Sequence, residues 1–179
     1  MIGMRRIAII LAAAAALAGA AGLANAQARV SALKGHDSNA PVDVEADRIE
    51  VQDRADRAIF AGNVHVRQAQ LTLDTQRLTI AYSSNGGVQI DRMDASGGVT
   101  VRSPSETARG NFGIYDTNKR LITLVGDVQL TREGSRVSGS RLVIDLESGR
   151  AVIDGGAPGV GQRGGRVTGH FTVPKKRGG

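Results

Sequence analysis

The apolar residues of this chain change parity inside what read as single strands, and they do so at a fixed interval. Val42 and Val44 are followed by Ile49 and Val51, Leu71 and Leu73 by Leu78 and Ile80, and Val137 by Leu142 and Ile144. The step is five residues each time, from 44 to 49, 73 to 78 and 137 to 142. Side chains alternate between the faces of a strand, so an odd step moves an apolar set to the other face. A recurring switch therefore means a recurring bulge or bend. In a two-sheet fold, such a bend lets one long strand leave one sheet and join the other. Arg48, Arg77 and Arg141 each stand just before the second apolar pair. One unit departs, with Thr107 at an expected apolar place and Asn111 where the Arg is expected.

The switches belong to a repeat of roughly thirty residues. Four hairpin units align on the pairs Ile49/Val51, Leu78/Ile80, Phe112/Ile114 and Leu142/Ile144. Turn formers follow each pair: Asp53 to Asp56, Ser83 to Gly87 with Asn85-Gly86, Asp116 to Lys119, and Glu147 to Arg150. Three return strands open on Gly62, Gly97 and Gly126, each two residues before Val64, Val99 and Val128. Glycine inside a strand marks a bulge or a close approach. The fourth unit returns through Ala151 to Gly155 and then loses the pattern. A partial fifth unit appears where Arg166-Val167-Thr168-Gly169 echoes Arg136-Val137-Ser138-Gly139, with Phe171 and Val173 continuing it as a last strand and Pro174 ending it. The pattern predicts an all-β fold of repeated antiparallel hairpins.

The repeat is preceded by a stretch of another kind. Arg5 and Arg6 lead an alanine-rich apolar run from Ile7 to about Leu23, which ends in Ala24-Asn25-Ala26. Basic start, apolar centre and an A-x-A end read as a signal peptide over residues 1–26, cleaved after Ala26. An uncleaved membrane anchor is the other reading, and alanine makes the run weakly apolar for it. Export leaves a flexible N-terminal segment at 27–40, the repeat domain at 41–155, a Gly-rich connection with a last strand at 156–173, and a basic tail at 174–179. The chain has no cysteine, so packing and hydrogen bonds must hold the fold without disulfides. Its charge of +6 comes from 23 basic and 17 acidic residues. Two basic residues lie in the signal stretch and five after Asp154, which leaves 16 against 17 on residues 27–154. A near-neutral domain argues against a nucleic-acid face. Lys175-Lys176-Arg177 reads first as a solvated end and second as a contact for an anionic surface.

Residues suited to catalysis are scattered. His36, His65 and His170 form no metal-spaced cluster. His65 alternates with Val64 and Val66, which turns it toward solvent. Asp43, Glu45 and Asp47 alternate with apolar residues as a solvated strand face. The Gly-rich stretch near 155–165 lacks the Lys and Ser/Thr of a phosphate loop. The chain reads as a non-enzyme with no cofactor and no metal.

Val44-Glu45-Ala46-Asp47-Arg48-Ile49-Glu50-Val51, then Ala58-Ile59-Phe60-Ala61-Gly62-Asn63-Val64-His65-Val66, resembles the opening of an OstA-type domain. Arg120 to Leu130 resembles its later return strand, and the similarity runs from about Pro41 to Gly155. With the export signal, the chain resembles the LptA-like family of periplasmic lipopolysaccharide transport. That resemblance implies a twisted β-jelly roll, open along one side, whose apolar interior holds lipid A acyl chains. It implies a periplasmic bridge that stacks head-to-tail through edge strands. Its partners would be lipopolysaccharide, an inner-membrane LptC-like protein and an outer-membrane LptD-like translocon. The interior candidates are Ile49, Val51, Phe60, Val64, Val66, Leu73, Leu78, Ile80, Val99, Val101, Phe112, Ile114, Leu124, Val128, Leu130, Leu142 and Ile144. A secreted β-repeat filament without lipid cargo is the alternative, and an inner-membrane relative kept on its anchor is a third.

Overall fold

A computed structural model describes residues 36–84, 86–155 and 165–172. The signal stretch with its cleavage after Ala26, Asn85, residues 156–164, and Val173, Pro174 and the basic tail lie outside the described residues. The described chain is almost wholly strand. The strands are β1 Val42–Glu45, β2 Arg48–Gln52, β3 Arg57–Gln68, β4 Leu71–Ser83, β5 Gln89–Arg102, β6 Glu106–Asp116, β7 Leu121–Arg132, β8 Ser135–Asp145, β9 Arg150–Asp154 and β10 Thr168–His170. A 3₁₀ turn at Asp53–Ala55 joins β2 to β3, and Asp56 closes it in the left-handed region.

All ten strands form one antiparallel sheet, in the order β1, β3, β4, β5, β6, β7, β8, β10, with β2 also on β3 and β9 also on β8. The short strands at each edge thus share one long neighbour. β1 pairs with the second half of β3 and β2 with its first half. β10 and β9 divide β8 in the same way. Among the described residues the two edges do not pair with each other, so the sheet stays open.

A line of register breaks crosses the sheet and divides it into two arms. The breaks fall between Ala61 and Val64 on β3, Asp74 and Arg77 on β4, Ser96 and Val99 on β5, Arg109 and Phe112 on β6, and Val125 and Val128 on β7. Two kinds of strand alternate across this seam. β3, β5 and β7 pass it with two left-handed residues each: Gly62-Asn63, Gly97-Gly98 and Gly126-Asp127, with φ between +46° and +87°. Between them, β4, β6 and β8 pass it with one unmatched residue, Gln76, Asn111 and Ser140 respectively. One extra residue reverses parity along its strand, which explains the five-residue step; two extra residues leave it unchanged, as in Phe60, Val64 and Val66. The seam glycines are bulges. A Cβ on Gly97 would come within 2.8 Å of the Gln76 Cβ, so the neighbouring strand fills the space.

The arms face each other over one apolar core. Leu78, Leu124 and Leu142 from one arm and Val64, Val99 and Val128 from beside the seam are all at most 2% exposed. The result is the twisted, open β-jelly roll expected from the repeat. The bend that the parity switch predicts is the seam.

Candidate functional site

Strands β1 to β9 all help to build the space between the arms. Two inward rows line it. On the first arm, cross-strand partners run Ile49, Phe60, Leu78, Ala95, Gly113, Leu124, Leu142, Ile153. On the second they run Val44, Val66, Leu73, Val101, Ala108, Leu130, Val137. Each parity step in the sequence places one residue in each row: Val44 with Ile49, Leu73 with Leu78, Val137 with Leu142. The rows are apolar from edge to edge, so the arms enclose a trough rather than an isolated core.

Of the interior candidates, Val64, Val66, Leu78, Ile80, Val99, Val101, Leu124, Val128, Leu142 and Ile144 are buried. Phe60, Leu73 and Leu130 are partly buried and pack against that core. Ile49 and Val51 stand on the inward face, yet each is 56% exposed. β2 is the edge strand there, and among the described residues no further strand covers them. The inner surface therefore reaches solvent at this end of the trough.

Phe112 lies on the other side of the sheet, while Ile114, half-buried and alternating with Gly113 and Tyr115, also borders the cavity between the arms. Gly113 and Tyr115 are the buried members of that alternation, and Phe112 is 57% exposed. Phe112 falls in the outward row of Arg48, Arg77 and Arg141. It, not Asn111, occupies the arginine place of the third unit, and Asn111 sits in the seam. The physical reason is room: a Cβ on Gly113 would already meet Leu124 Cδ2 and Val99 Cγ1, both at 3.1 Å. A large side chain does not fit there. Five residues before Gly113 stands Ala108, so the unit obeys the step once the small residues are counted.

Other inward residues escaped the sequence reading. Met93, Ala95, Ala108, Tyr115, Ile122 and Leu146 are buried. Met93, Ala95 and Ile122 follow from their partners, since each sits opposite a residue of the recognised pairs. An apolar cavity between the arms is lined by Val66, Gln68, Leu71, Leu73, Met93, Val101, Tyr115, Ile122 and Leu124 among others. Its volume is about 30 Å³.

Charge is kept off the trough's length. The His65 ring nitrogen Nδ1 meets Asp74 Oδ1 at 2.6 Å, and Arg102 donates to the other Asp74 oxygen. All three lie on the outer face. Burial alone would raise the Asp74 carboxyl, but the hydrogen bonds and charges of His65 and Arg102 outweigh it and hold it below its ordinary value. The charge nearest the interior is Glu106, at the lip of the second arm, 3.3 Å from Arg132. Thr75, buried at the seam, donates to the Ser96 carbonyl at 2.8 Å. Among the described residues, no group of three His, Cys, Asp or Glu is placed to hold a metal.

Gln68 ends β3 at the lip of the second arm and is 4% exposed. Its amide nitrogen donates to the Ser38 and Ala40 carbonyls, both at 3.0 Å, and its oxygen meets His36 Nε2 at 3.0 Å. The last part of the segment expected to be flexible, residues 36–40, is thus fastened to the trough.

A family model described as the LptA/LptD N-terminal-domain lipopolysaccharide transport protein matches residues 43–150. A protein of uncharacterised function from Rhizobium meliloti is 33% identical over 143 residues, 75% of this chain and 77% of its own. The lipopolysaccharide export system protein LptH of Pseudomonas aeruginosa is 22% identical over 125 residues, 67% of this chain and 70% of that one. The crystal structure of LptH, described as the LptA-homologous periplasmic component of the conserved lipopolysaccharide transport device, aligns with a TM-score of 0.68. At 18% identity, the alignment covers 77% of this chain and 99% of that one.

Proposed function

Since this chain belongs to the family of LptA/LptD N-terminal-domain lipopolysaccharide transport proteins, we propose that it is a periplasmic bridge that binds lipopolysaccharide. It covers the lipid A acyl chains in the trough and passes them from an inner-membrane LptC-like protein to an outer-membrane LptD-like translocon. Carriage of this kind makes and breaks no covalent bond, so the protein is not an enzyme in this reading and needs no cofactor.

One observation carries the proposal: the inward rows stay apolar from edge to edge and end uncovered at Ile49 and Val51. Each methylene kept from water is worth about 0.8 kcal/mol. A chain of about a dozen methylenes then gains about 10 kcal/mol from shielding, while sugars and phosphates stay in solvent along the open side. β1 with β2 and β9 with β10 are the edges of the sheet among the described residues, and an edge strand supports stacking by strand addition. A signal peptide over residues 1–26 accords with the periplasmic setting.

A photo-crosslinking amino acid tests the cargo. At Leu73 or Met93 it is expected to capture lipopolysaccharide in cells; at Phe112, on the outer face, it is not. Capture at Phe112 alone, or at none of the three, would sink the proposal.

A further inference from the structure

We infer that residues 36–40 form a latch across the mouth of the trough, held by Gln68, which must release before an alkyl chain can enter there. The two lips of the cavity are Gln68 on the second arm and Tyr115 on the first, and both line it. The segment joins them. Gln68 grips it through three hydrogen bonds, to His36, Ser38 and Ala40. At the other lip the Ser38 hydroxyl lies beside the Tyr115 phenol, and both oxygens are buried. Three hydrogen bonds on one lip and a single hydroxyl contact on the other is the pattern of a hinged strap. A buried amide left unbonded is unfavourable, so Gln68 favours the closed form. The single contact at Tyr115 is the weaker of the two and is the first to open.

The small volume of the cavity, about 30 Å³, fits a closed form. The strap touches two residues of its lining, Gln68 and Tyr115, and lifting residues 36–40 disturbs no strand of the sheet. This inference rests on the proposed carriage of lipid, but its test reads the latch by itself.

The chain has no cysteine, so Ser38→Cys creates a single thiol in the strap. Asn39→Cys supplies an exposed neighbour as a reference. Maleimide labelling of the full exported chain is expected to be at least tenfold slower at position 38 than at 39. Gln68→Ala should bring the two rates together, and His36→Ala, which removes one bond and leaves the core untouched, should raise the rate at 38 about threefold. Saturation with a dodecyl detergent below its micellar concentration, or with purified lipopolysaccharide, should speed labelling at 38 at least fivefold. Equal rates at 38 and 39 in the parent overturn the latch, as does a rate at 38 that no alkyl probe changes. If the detergent speeds labelling while lipopolysaccharide neither binds nor speeds it, the latch stands and the transport reading falls.

Discussion

Gly113 shows how one missing side chain sets the packing of a whole unit. It lies in the inward row between Ala95 and Leu124, and Val99 and Leu124 already fill its place. Gly113→Val should overpack this point and cost about 1–3 kcal/mol, read from denaturant midpoints. Phe112→Ser, one residue away on the outer face, should change stability by less than about 0.5 kcal/mol. A reversal of the two effects would mean the unit is registered the other way. Asp74 makes a second prediction. Its folded value lies below the ordinary 3.8, so its contribution is complete above that value and is lost as pH falls through the lowered folded one. Asp74→Asn should leave acid unfolding with a shallower limb below about pH 3.8, and the parent and variant curves should converge at the acid end. The effect is small, since the pair is more than a third exposed to solvent.

The seam is the element that makes two arms from one sheet. Left-handed geometry costs a non-glycine residue about 1–2 kcal/mol. Replacing Gly97 and Gly98 together with alanine should therefore cost about 2–4 kcal/mol, and more if Gln76 cannot move aside. Circular dichroism and a denaturant series measure it; a double variant as stable as the parent would show that the seam carries no strain. The seam was also the most legible part of the sequence. Val44 to Ile49, Leu73 to Leu78 and Val137 to Leu142 announce it, because valine, isoleucine and leucine mark the inward face by hydropathy alone. The third unit was misread by one residue for the same reason. Its inward places hold Ala108, Gly113 and Tyr115, which carry little apolar signal, while Phe112 points outward and carries much. Residues 36–40 were legible only as a loose segment. Their order depends on Gln68, about thirty residues away in sequence, and no local pattern encodes such a bond.

At the scale of the molecule, the two open edges are what the rest of the design leaves unfinished. Proline placed singly at Ala151, Val152 and Ile153 should separate the two directions of β9. Where the amide faces β8, proline should destabilise the fold. Where it faces away from β8, the monomer should keep its melting temperature and lose the proposed self-association, as light scattering would show. Association unchanged at all three positions would exclude this edge from assembly.

The alternation of one-residue and two-residue crossings at the seam has a further consequence. A single strand cannot be added or removed without leaving two like crossings side by side, where each two-residue bulge now faces a one-residue one. A pair of strands can be, because the pair keeps the alternation. Neighbouring strands lie about 4.8 Å apart, so a trough of this design changes length in steps of about 10 Å, one hairpin at a time. Its reach is counted in whole units, much as a chain is measured in links.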